Sequence, residues 1–354
     1  DGRKLDFRII GGGRENYFKD LLSIYVKIHK IDVLLILLDT FMMFNWLQTL
    51  DLSPAKTIFL FPSDGGGGMP LGCEEILKKV DCPIAMAKFG QLQVEKVHGL
   101  KTGYIPHAID IRNYFPMTKE ERLELRRKWG LEGKYVIGTV ARNQGRKMLD
   151  RTFKAFAEYS KLDDNAILLM HCDPNDNAQV FSMHHLIARY NIPHKVRFTG
   201  MTFFNGFTYK QMNEVYNLFD VFILTTSGEG FGIPICEAMA CEIPVLATNY
   251  TTTKELVIDN NAGYGIDLTG TEASENPAVH GSEVIDGTIT GSWNVERGIC
   301  SIKDCVKKLK LLKENELERK RMGLNGRAAV LKEYNWDIVG KQWIDLINKL
   351  GGQY

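Results

Sequence analysis

Two carboxylates flank a glycine-rich segment in the second half of the sequence. The segment SGEGFGIPICE holds Glu229 and Glu237, eight residues apart, and follows the strand pattern Val221–Thr225. Glycine lets a backbone approach a ligand closely, and the amides and dipole of a helix N-terminus favour a phosphate or a developing oxyanion. The pattern predicts a ligand-binding loop at the carboxyl end of a strand, in which Glu229 and Glu237 contact different parts of one elongated ligand. An ordinary glycine-rich turn, with Glu237 complementing the helix dipole, is the alternative.

Three cations form a second group of candidate residues. Arg142, Arg146 and Lys147 lie in the segment ARNQGRK, between the strand pattern Tyr135–Ala141 and a helical pattern at Lys147–Ser160. Arg can bind a diphosphate through two parallel hydrogen bonds, and Lys adds a compact charge. The group predicts a diphosphate site, although a solvated basic loop would have the same composition.

The sequence offers little for a metal ion. His171 and Cys172 are adjacent, but no second cluster of His or Cys completes a set of ligands. An Asp-x-Asp pair, a common anchor for Mg²⁺ or Mn²⁺, is also missing from the sequence. The seven cysteines include no C-x-x-C pair, which favours free thiols in a reducing compartment. We therefore expect neither a metal nor a cofactor.

The charges of the chain are balanced. It holds 44 Lys and Arg residues against 43 Asp and Glu residues, for a net charge of +1. A nucleic-acid-binding protein usually has a basic excess, so we expect no nucleic-acid partner. The most apolar stretch, residues 31–50, holds Asp32, Asp39 and Asn45, which argues against a membrane span. With no secretory signal expected at the N-terminus, the sequence favours a cytoplasmic protein, and a peripheral membrane contact is left open.

Apolar runs of strand length alternate with helical patterns along most of the chain, which is typical of an α/β fold with parallel sheets. A first series of strands is predicted at Asp32–Leu38, Thr57–Phe61 and Pro83–Ala87. A second series is predicted at Tyr135–Ala141, Ala166–His171, Val196–Phe198, Val221–Thr225, Val245–Thr248 and Tyr264–Ile266. The candidate residues lie where strands of these series end, which is where open α/β sheets bind ligands.

The two series of strands predict two domains and a last helix, at residues 1–111, 112–336 and 337–354. We place the linker at the start of the charged segment Arg112–Lys134, which has no strand pattern. Thr269–Arg297 is rich in Gly, Ser, Thr, Asn and Glu and is predicted to be a long surface loop. Helical patterns at Ser301–Tyr334 and Asp337–Leu350 complete the chain.

Several segments together resemble the retaining GT-B glycosyltransferases of family 4, the group 1 glycosyltransferases. Glu229 and Glu237 have that family's Glu-x7-Glu spacing in the same strand–loop–helix context, and Arg142 and Lys147 match its paired Arg and Lys. Three further segments are similar to family motifs in the same order, namely IPHAID at Ile105–Asp110, EAMACEIPVLA at Glu237–Ala247 and YNW at Tyr334–Trp336. The resemblance covers the chain from Thr57 to Leu350.

The resemblance implies a GT-B architecture, in which two Rossmann-like domains face each other across a cleft and the C-terminal helix crosses back to the N-terminal domain. It implies that Glu237 holds the donor ribose, that Glu229 contacts the transferred sugar, and that Arg142 and Lys147 neutralise the diphosphate. The remaining donor-binding residues are Arg146 and the loop residues Gly230, Phe231, Gly232 and Ile233.

The implied activity is the metal-independent transfer of a hexose from a GDP- or UDP-sugar, with retention of the anomeric configuration and without a cofactor. The acceptor is expected to be a hydroxyl group of a glycan, a lipid or a small molecule. Three alternatives stay open: a nucleotide-sugar epimerase, a sugar phosphorylase on the same fold, and a non-catalytic subunit that binds nucleotide sugars. The sequence does not indicate the sugar, the base or the acceptor.

Two features depart from the family pattern. Where many members carry a His that faces the reaction centre, this sequence has Asp64, in FPSDG. We predict that Asp64 is a catalytic residue on the acceptor side and that the glycines Gly65–Gly68 form a mobile acceptor loop, with a turn-forming Asp64 as the alternative. The segment Gly11–Arg14 could be a remnant of the family's first glycine-rich loop. It lies so close to the strand at Asp32–Leu38 that we expect either an abbreviated N-terminal domain or a sequence that lacks part of this domain.

Overall fold

The structure is a computed structural model that describes residues 19–40, 43, 50–69, 74–176, 179–202, 204–273, 283–285, 288–290 and 295–351. Two parallel sheets organise these residues. The candidate loop Gly11–Arg14 lies outside the described residues, so its role stays a prediction.

Four parallel strands form the first sheet, in the spatial order β1-β2-β3-β4. They are β1 (Val33–Leu37), β2 (Lys56–Phe61), β3 (Cys82–Ala85) and β4 (Gly103–Tyr104). The helices of this part of the chain are α1 (Lys19–Ile28), α2 (Glu74–Lys79) and α3 (Lys88–His98). Successive side chains of a strand point to opposite faces. Along β2, Ile58 and Leu60 therefore join one core cluster, and Phe59 and Phe61 join another.

Six parallel strands form the second sheet, in the spatial order β10-β9-β8-β5-β6-β7. They are β5 (Tyr135–Val140), β6 (Ala166–His171), β7 (Val196–Phe198), β8 (Val221–Leu224), β9 (Val245–Thr248) and β10 (Gly263–Ile266). Ile137 of β5 lies opposite Leu168 of β6 on one side and Val221 of β8 on the other. The strand order reverses between β5 and β8, and doubly wound sheets bind their ligands at such a point.

Helices accompany the second sheet and complete the chain. They are α4 (Lys119–Lys128), α5 (Leu149–Tyr159), α6 (Met183–Tyr190), α7 (Tyr209–Leu218), α8 (Ile233–Ala240), α9 (Ile302–Glu314), α10 (Glu316–Glu333) and α11 (Trp336–Lys349). Thr118 and Thr208 begin α4 and α7 with reciprocal capping boxes. Strands β6 and β8 are buried along their whole length, as expected for a parallel sheet covered on both faces.

The alternation of strands and helices is as predicted, but three helical segments differ. Helix α5 begins at Leu149 instead of Lys147, because residues 145–147 form a 3₁₀ turn and Met148 has a left-handed φ of 45°. The pattern at Ser301–Tyr334 divides into α9 and α10 at Asn315, whose side chain caps α10. The linker segment Arg112–Lys134 contains the whole of α4.

The prediction of a long loop at Thr269–Arg297 is wrong for the residues of this segment that the structure describes, since nearly all of them form strands. Strand β11 (Leu268–Ala273) pairs with β14 (Glu296–Cys300) in an antiparallel two-stranded sheet, which we call the ribbon. A smaller hairpin, β12 (Glu283–Ile285) with β13 (Thr288–Thr290), lies between them in the sequence. The ribbon pairs Glu272 with Arg297, so each strand depends on a partner far along the chain. Its many Gly, Ser and Thr residues hide that pairing from a local reading of the sequence.

The two sheets are joined by polar contacts. The Ile109 amide donates to the Tyr334 carbonyl (3.0 Å), immediately before α11. The Glu255 carboxylate accepts hydrogen bonds from the amides of Lys88 (2.9 Å) and Phe89 (3.5 Å). The first amides of a helix have no partner within it, so a carboxylate from the second part of the chain completes α3 of the first. The residue limits of the predicted domains stay a prediction.

The last helix, α11, is amphipathic. Trp343, Leu346 and Ile347 pack against a core cluster that includes residues of both sheets, whereas Trp336 and Ile344 are about half exposed. Within the described ranges, no helix combines the length and the apolar character needed to cross a membrane.

Candidate active site

The loops that follow β5 and β8 lie side by side and are held together by hydrogen bonds. The Arg146 carbonyl accepts from the Ser227 amide (2.7 Å), the Ser227 hydroxyl (3.0 Å) and the Thr226 hydroxyl (3.1 Å). The Thr225 hydroxyl donates to the Met148 carbonyl (2.9 Å). Since β5 and β8 are neighbours in the sheet, the cations of one loop lie beside the carboxylate of the other.

Glu229 lies at the centre of this arrangement. The Lys147 ammonium lies 2.7 Å from Oε1 and 2.9 Å from Oε2 of Glu229, and Arg146 Nη1 lies 2.9 Å from Oε2. The Glu229 amide donates to the Thr251 hydroxyl (3.0 Å), which fixes the backbone at this point. Only 3% of Glu229 and 7% of Lys147 is exposed. The predicted sugar-binding carboxylate and two predicted phosphate-binding cations therefore form one buried ionic group.

The ionic group holds its charges firmly. Burial alone would raise the pKa of Glu229, but the charges of Arg146 and Lys147 outweigh burial and lower this pKa to about 2. Burial lowers the pKa of Lys147, and the Glu229 carboxylate opposes that change. We take both groups to be ionised at neutral pH, because each stabilises the charge of the other. The contribution of Glu229 to stability is then complete above pH 4.5 and is lost as the pH falls towards 2.

Asp64, three residues after β2, reaches the same place from the first sheet. Its Oδ2 lies 3.8 Å from Arg146 Nε and 3.2 Å from Arg297 Nη1. Burial would raise the pKa of Asp64, but Arg297 and Arg146 together hold this pKa below its usual value. Arg146 thus lies between a carboxylate of the first sheet, Asp64, and a carboxylate of the second, Glu229.

The structure separates Arg142 from the other two cations. Arg142 Nε donates to Asp176 Oδ2 (2.9 Å), and about half of the Arg142 side chain is exposed. Arg146, which was expected only among the donor-binding residues, is instead the arginine that contacts Glu229. The catalytic role of Arg142 stays a prediction.

Glu237 lies in the first turns of α8 and is half-buried. The Tyr216 hydroxyl donates to Glu237 Oε2 (2.5 Å), and Tyr114 donates a further hydrogen bond. Burial raises the pKa of Glu237, and the two phenols partly offset that rise. Two tyrosines therefore orient the carboxylate that is predicted to hold the ribose.

The backbone between Glu229 and α8 is shaped for close approach. Gly232, the residue before the helix, has φ of 101° and carries no side chain that could cap the first amides. A Cβ atom at Gly230 would lie 2.9 Å from Pro62 Cβ, so this loop touches the loop after β2. Ile233 is 41% exposed at the start of the helix. The amides of this helix N-terminus are suited to an anion.

The Phe231 side chain packs between the two parts of the chain. Its ring meets the rings of His107 (5.4 Å between centroids) and Tyr334 (5.9 Å), both edge-on. Only 3% of Phe231 is exposed. Its expected donor-binding role therefore rests on its backbone.

Two further charged residues of the site escaped prediction. Asp39 follows β1 and is partly exposed to solvent. Its pKa is raised overall, because burial and the charge of Asp64 outweigh the opposing effect of Arg146. Its position after an apolar strand pattern, like that of Asp64, is a signal that could have found it. Arg297 lies in the segment predicted to be a loop, where no sequence signal marks it.

No group of three or more His, Cys, Asp and Glu side chains with a metal-like arrangement occurs in the part of the chain that the structure describes. The His171 ring nitrogen Nδ1 lies 2.9 Å from the Thr199 hydroxyl, and the Cys172 thiol contacts Met183. His171 and Cys172 thus belong to the packing beyond β6.

Comparison with known proteins connects this geometry to a family. The family described as glycosyl transferases group 1 matches residues 121–275. Mannosylfructose-phosphate synthase of Agrobacterium fabrum is 28% identical over 159 residues, which cover 43% of this chain and 34% of that protein. N-acetyl-alpha-D-glucosaminyl L-malate synthase of Bacillus anthracis is 23% identical over 238 residues, which cover 66% of this chain and 50% of that protein. The chain thus spans half or less of the length of these relatives.

The fold has close counterparts among solved structures. Sucrose-phosphate synthase from Thermosynechococcus elongatus superposes with a TM-score of 0.71 at 16% identity, over 94% of this chain and 77% of that one. This likeness concerns the fold and confirms the predicted GT-B architecture. Residues 121–275 thus match the group 1 glycosyltransferases, and the described part of the chain has the GT-B fold.

Proposed function

We propose that this protein is a retaining hexosyltransferase. It moves a hexose from a GDP- or UDP-sugar to a hydroxyl group of a glycan, a lipid or a small molecule, in the cytoplasm and without a metal or cofactor. The observation that carries the proposal is the buried group of Arg146, Lys147 and Glu229, which lies where the strand order of the second sheet reverses.

A nucleotide diphosphate suits this place by its charge. Its oxygens can accept charge-assisted hydrogen bonds from Arg146 and Lys147, and the N-terminus of α8 offers further donors. Glu237, at the far end of the same loop, can accept hydrogen bonds from the two ribose hydroxyls. Once the diphosphate shares the two cations, Glu229 becomes available to the hydroxyls of the sugar.

We propose that the anomeric configuration is retained because the acceptor hydroxyl attacks the anomeric carbon from the same face that the diphosphate leaves. The bond between the anomeric carbon and the phosphate oxygen breaks, the bond to the acceptor oxygen forms, and the hydroxyl proton passes to the departing phosphate oxygen. Arg146 and Lys147 stabilise the charge that develops on the diphosphate. Glu229 binds the sugar and does not attack it, because hydrogen bonds to the cations that it shares with the diphosphate make its carboxylate a weaker nucleophile and a weaker base.

The acceptor is assigned to the first sheet. Asp64 lies there with a lowered pKa, so it is ionised at neutral pH and can accept a hydrogen bond from the acceptor hydroxyl. The names of the two relatives suggest small polar acceptors, and we propose to assay fructose 6-phosphate, L-malate and octyl glucoside. The donors for this assay are UDP-glucose, UDP-N-acetylglucosamine and GDP-mannose.

Proton NMR of the first-formed product tests the proposal. We expect the product to keep the donor's anomeric configuration, and we expect the reaction to proceed in EDTA. Glu229→Gln should lower turnover without loss of retention. An inverted anomeric coupling would refute retention, and a covalent adduct on Glu229 would replace front-face attack with double displacement.

Other outcomes of the same assay separate the alternatives. An epimerase would change the donor without any acceptor, and a phosphorylase would depend on free phosphate. A non-catalytic subunit would bind a donor, seen as a thermal shift, and leave it intact. Each of these results would contradict the transferase proposal.

A further inference from the structure

We infer that the ribbon forms one wall of the acceptor site and that Arg297, on its strand β14, is the positioning residue of Asp64. The inference rests on the proposed function, because it assigns the acceptor to the side of the cleft where Asp64 lies. It adds an element that none of the family motifs contains, since strand β14, which carries Arg297, lies beyond the family match at residues 121–275.

The glycine loop after Asp64 is docked on the ribbon through its backbone. Gly66 and Glu296 exchange both of their backbone hydrogen bonds, at 3.0 Å and 2.9 Å. The Tyr250 hydroxyl lies between the two segments, where it accepts from the Gly66 amide (2.8 Å) and donates to the Glu296 carbonyl (2.9 Å). These contacts connect the loop after β2 and the loop after β9 to strand β14 of the ribbon.

Only glycine permits this docking. A Cβ atom at Gly65 would lie 2.1 Å from Val295 Cγ1 and 2.5 Å from the Glu296 carbonyl oxygen. A Cβ atom at Gly66 would lie 2.7 Å from the Tyr250 hydroxyl. The glycines that predict a mobile loop therefore have another role here, which is to let the loop approach the ribbon.

Arg297 holds Asp64 by its backbone and by its side chain. Its Nη1 donates to the Asp64 carbonyl (2.6 Å) and lies 3.2 Å from the carboxylate oxygen Oδ2. The Arg297 residue is 1% exposed, so the guanidinium is fixed in place. The next residue, Gly298, donates its amide to the Ser227 carbonyl (2.9 Å), in the loop that carries Glu229. The ribbon thus contacts the acceptor-side loop and the donor-side loop at once.

The charge of Arg297 also decides the ionisation of Asp64. Burial raises the pKa of this carboxyl, and the two arginines nearby bring it below its usual value. The titratable and charged groups that face Asp64 come from five segments of the chain: Arg297, Arg146 with Lys147, Glu229, Asp39 and Tyr250. If the Arg297 charge is removed, burial and the two carboxylates act against Arg146 and the weaker influence of Lys147, and the Asp64 pKa rises.

Kinetics of Arg297→Met and Arg297→Lys test the positioning role. In Arg297→Met we expect the KM for the acceptor to rise about tenfold or more, and the affinity for UDP-glucose or GDP-mannose to stay within about twofold. The acid limb of kcat/KM should move to higher pH by about 1–3 units, because that is the effect of losing one nearby opposite charge. Arg297→Lys should restore most of the acid limb. The matched control is Arg151→Met, which removes an arginine that donates to the Cys300 carbonyl at the other end of β14 and should leave the acid limb unchanged.

Hydrogen–deuterium exchange of the ligand-free protein tests the docking independently of activity. Tyr250→Phe removes the shared hydroxyl without a change of charge, and Arg297→Met removes the anchor. Both should accelerate exchange across residues 64–68, and Tyr250→Phe should not move the acid limb. Unchanged exchange in both variants, or an unchanged acid limb and acceptor KM in Arg297→Met, would overturn the inference. If the wild-type protein transfers no sugar, the proposed function fails, while the exchange result still decides whether the ribbon holds the loop.

Discussion

Arg146 is the residue that connects the two carboxylates of the site. It contacts Glu229 at 2.9 Å and lies 3.8 Å from Asp64, whereas Arg142 contacts Asp176. In the sequence the two arginines look equivalent, because both are cations in one short loop. The 3₁₀ turn at residues 145–147 directs the Arg146 side chain into the site. No local sequence pattern predicts this turn.

Lys147→Ala should weaken the binding of a nucleotide diphosphate much more than the binding of the nucleoside. Each charge-assisted contact contributes about 1.5–3 kcal/mol, so the loss for UDP or GDP should be about tenfold or more. Isothermal titration of UDP, GDP and the two nucleosides measures the difference. Equal losses for nucleoside and diphosphate would remove Lys147 from the phosphate site.

Arg142→Ala is the matched comparison for this titration. Because Arg142 is half exposed and paired with Asp176, we expect a smaller loss of diphosphate affinity than for Lys147→Ala. A loss as large as that of Lys147→Ala would show that Arg142 turns to the phosphates when they bind, as the family resemblance implies.

Among the elements, the parallel strands could be predicted except the two-residue β4, and the ribbon could not. Strands such as Thr57–Phe61, Ala166–His171 and Val245–Thr248 are continuous apolar runs, which is how strands buried on both faces appear in a sequence. The ribbon is polar, and its order comes from the pairing of Leu268 with Cys300. Such a long-range pairing leaves no periodicity within either segment. Asp64, Glu229 and Lys147 were found because each follows a recognisable apolar strand pattern. Arg297 was missed because its own strand has no such pattern.

Gly228→Ala should disturb the meeting of the two loops. A Cβ atom there would lie 1.8 Å from the Asp64 carbonyl oxygen, and backbone cannot move aside as a flexible side chain can. We expect a loss of about 1–3 kcal/mol of stability, typical of overpacking, together with a larger loss of transfer than of donor affinity. Thermal unfolding and transfer assays measure the two effects.

Gly206→Ala is the control for this substitution. Gly206 is exposed, and an added Cβ atom would meet nothing within 4 Å. It should change neither stability nor transfer. If Gly228→Ala leaves stability and transfer unchanged, as expected for Gly206→Ala, the loops that carry Gly228 and Asp64 are not in close contact.

At the scale of the whole molecule, three of the contacts described above join the first part of the chain to the rest through hydrogen bonds of backbone amides. These are the Ile109–Tyr334 hydrogen bond before α11, the Glu255 carboxylate at the start of α3, and the pairing of Gly66 with Glu296. The sequence motifs at Ile105–Asp110 and Tyr334–Trp336 indicated the first of these contacts. The other two depend on side chains and on a ribbon that carry no motif.

The ribbon begins and ends at residues that face each other, since Leu268 lies opposite Cys300. A segment whose ends already touch can be cut out and replaced by a short turn without stretching the rest of the fold. A protein in which a Gly-Ser turn replaces residues 270–299 should therefore keep its second sheet and bind UDP or GDP as before. It would lack the wall that we infer for the acceptor site, so water should take the place of the acceptor as the nucleophile. We expect free hexose to replace the transfer product in a reducing-sugar assay, whereas undiminished transfer would contradict this. The ribbon would then be a separable module that makes the difference between a transferase and a hydrolase.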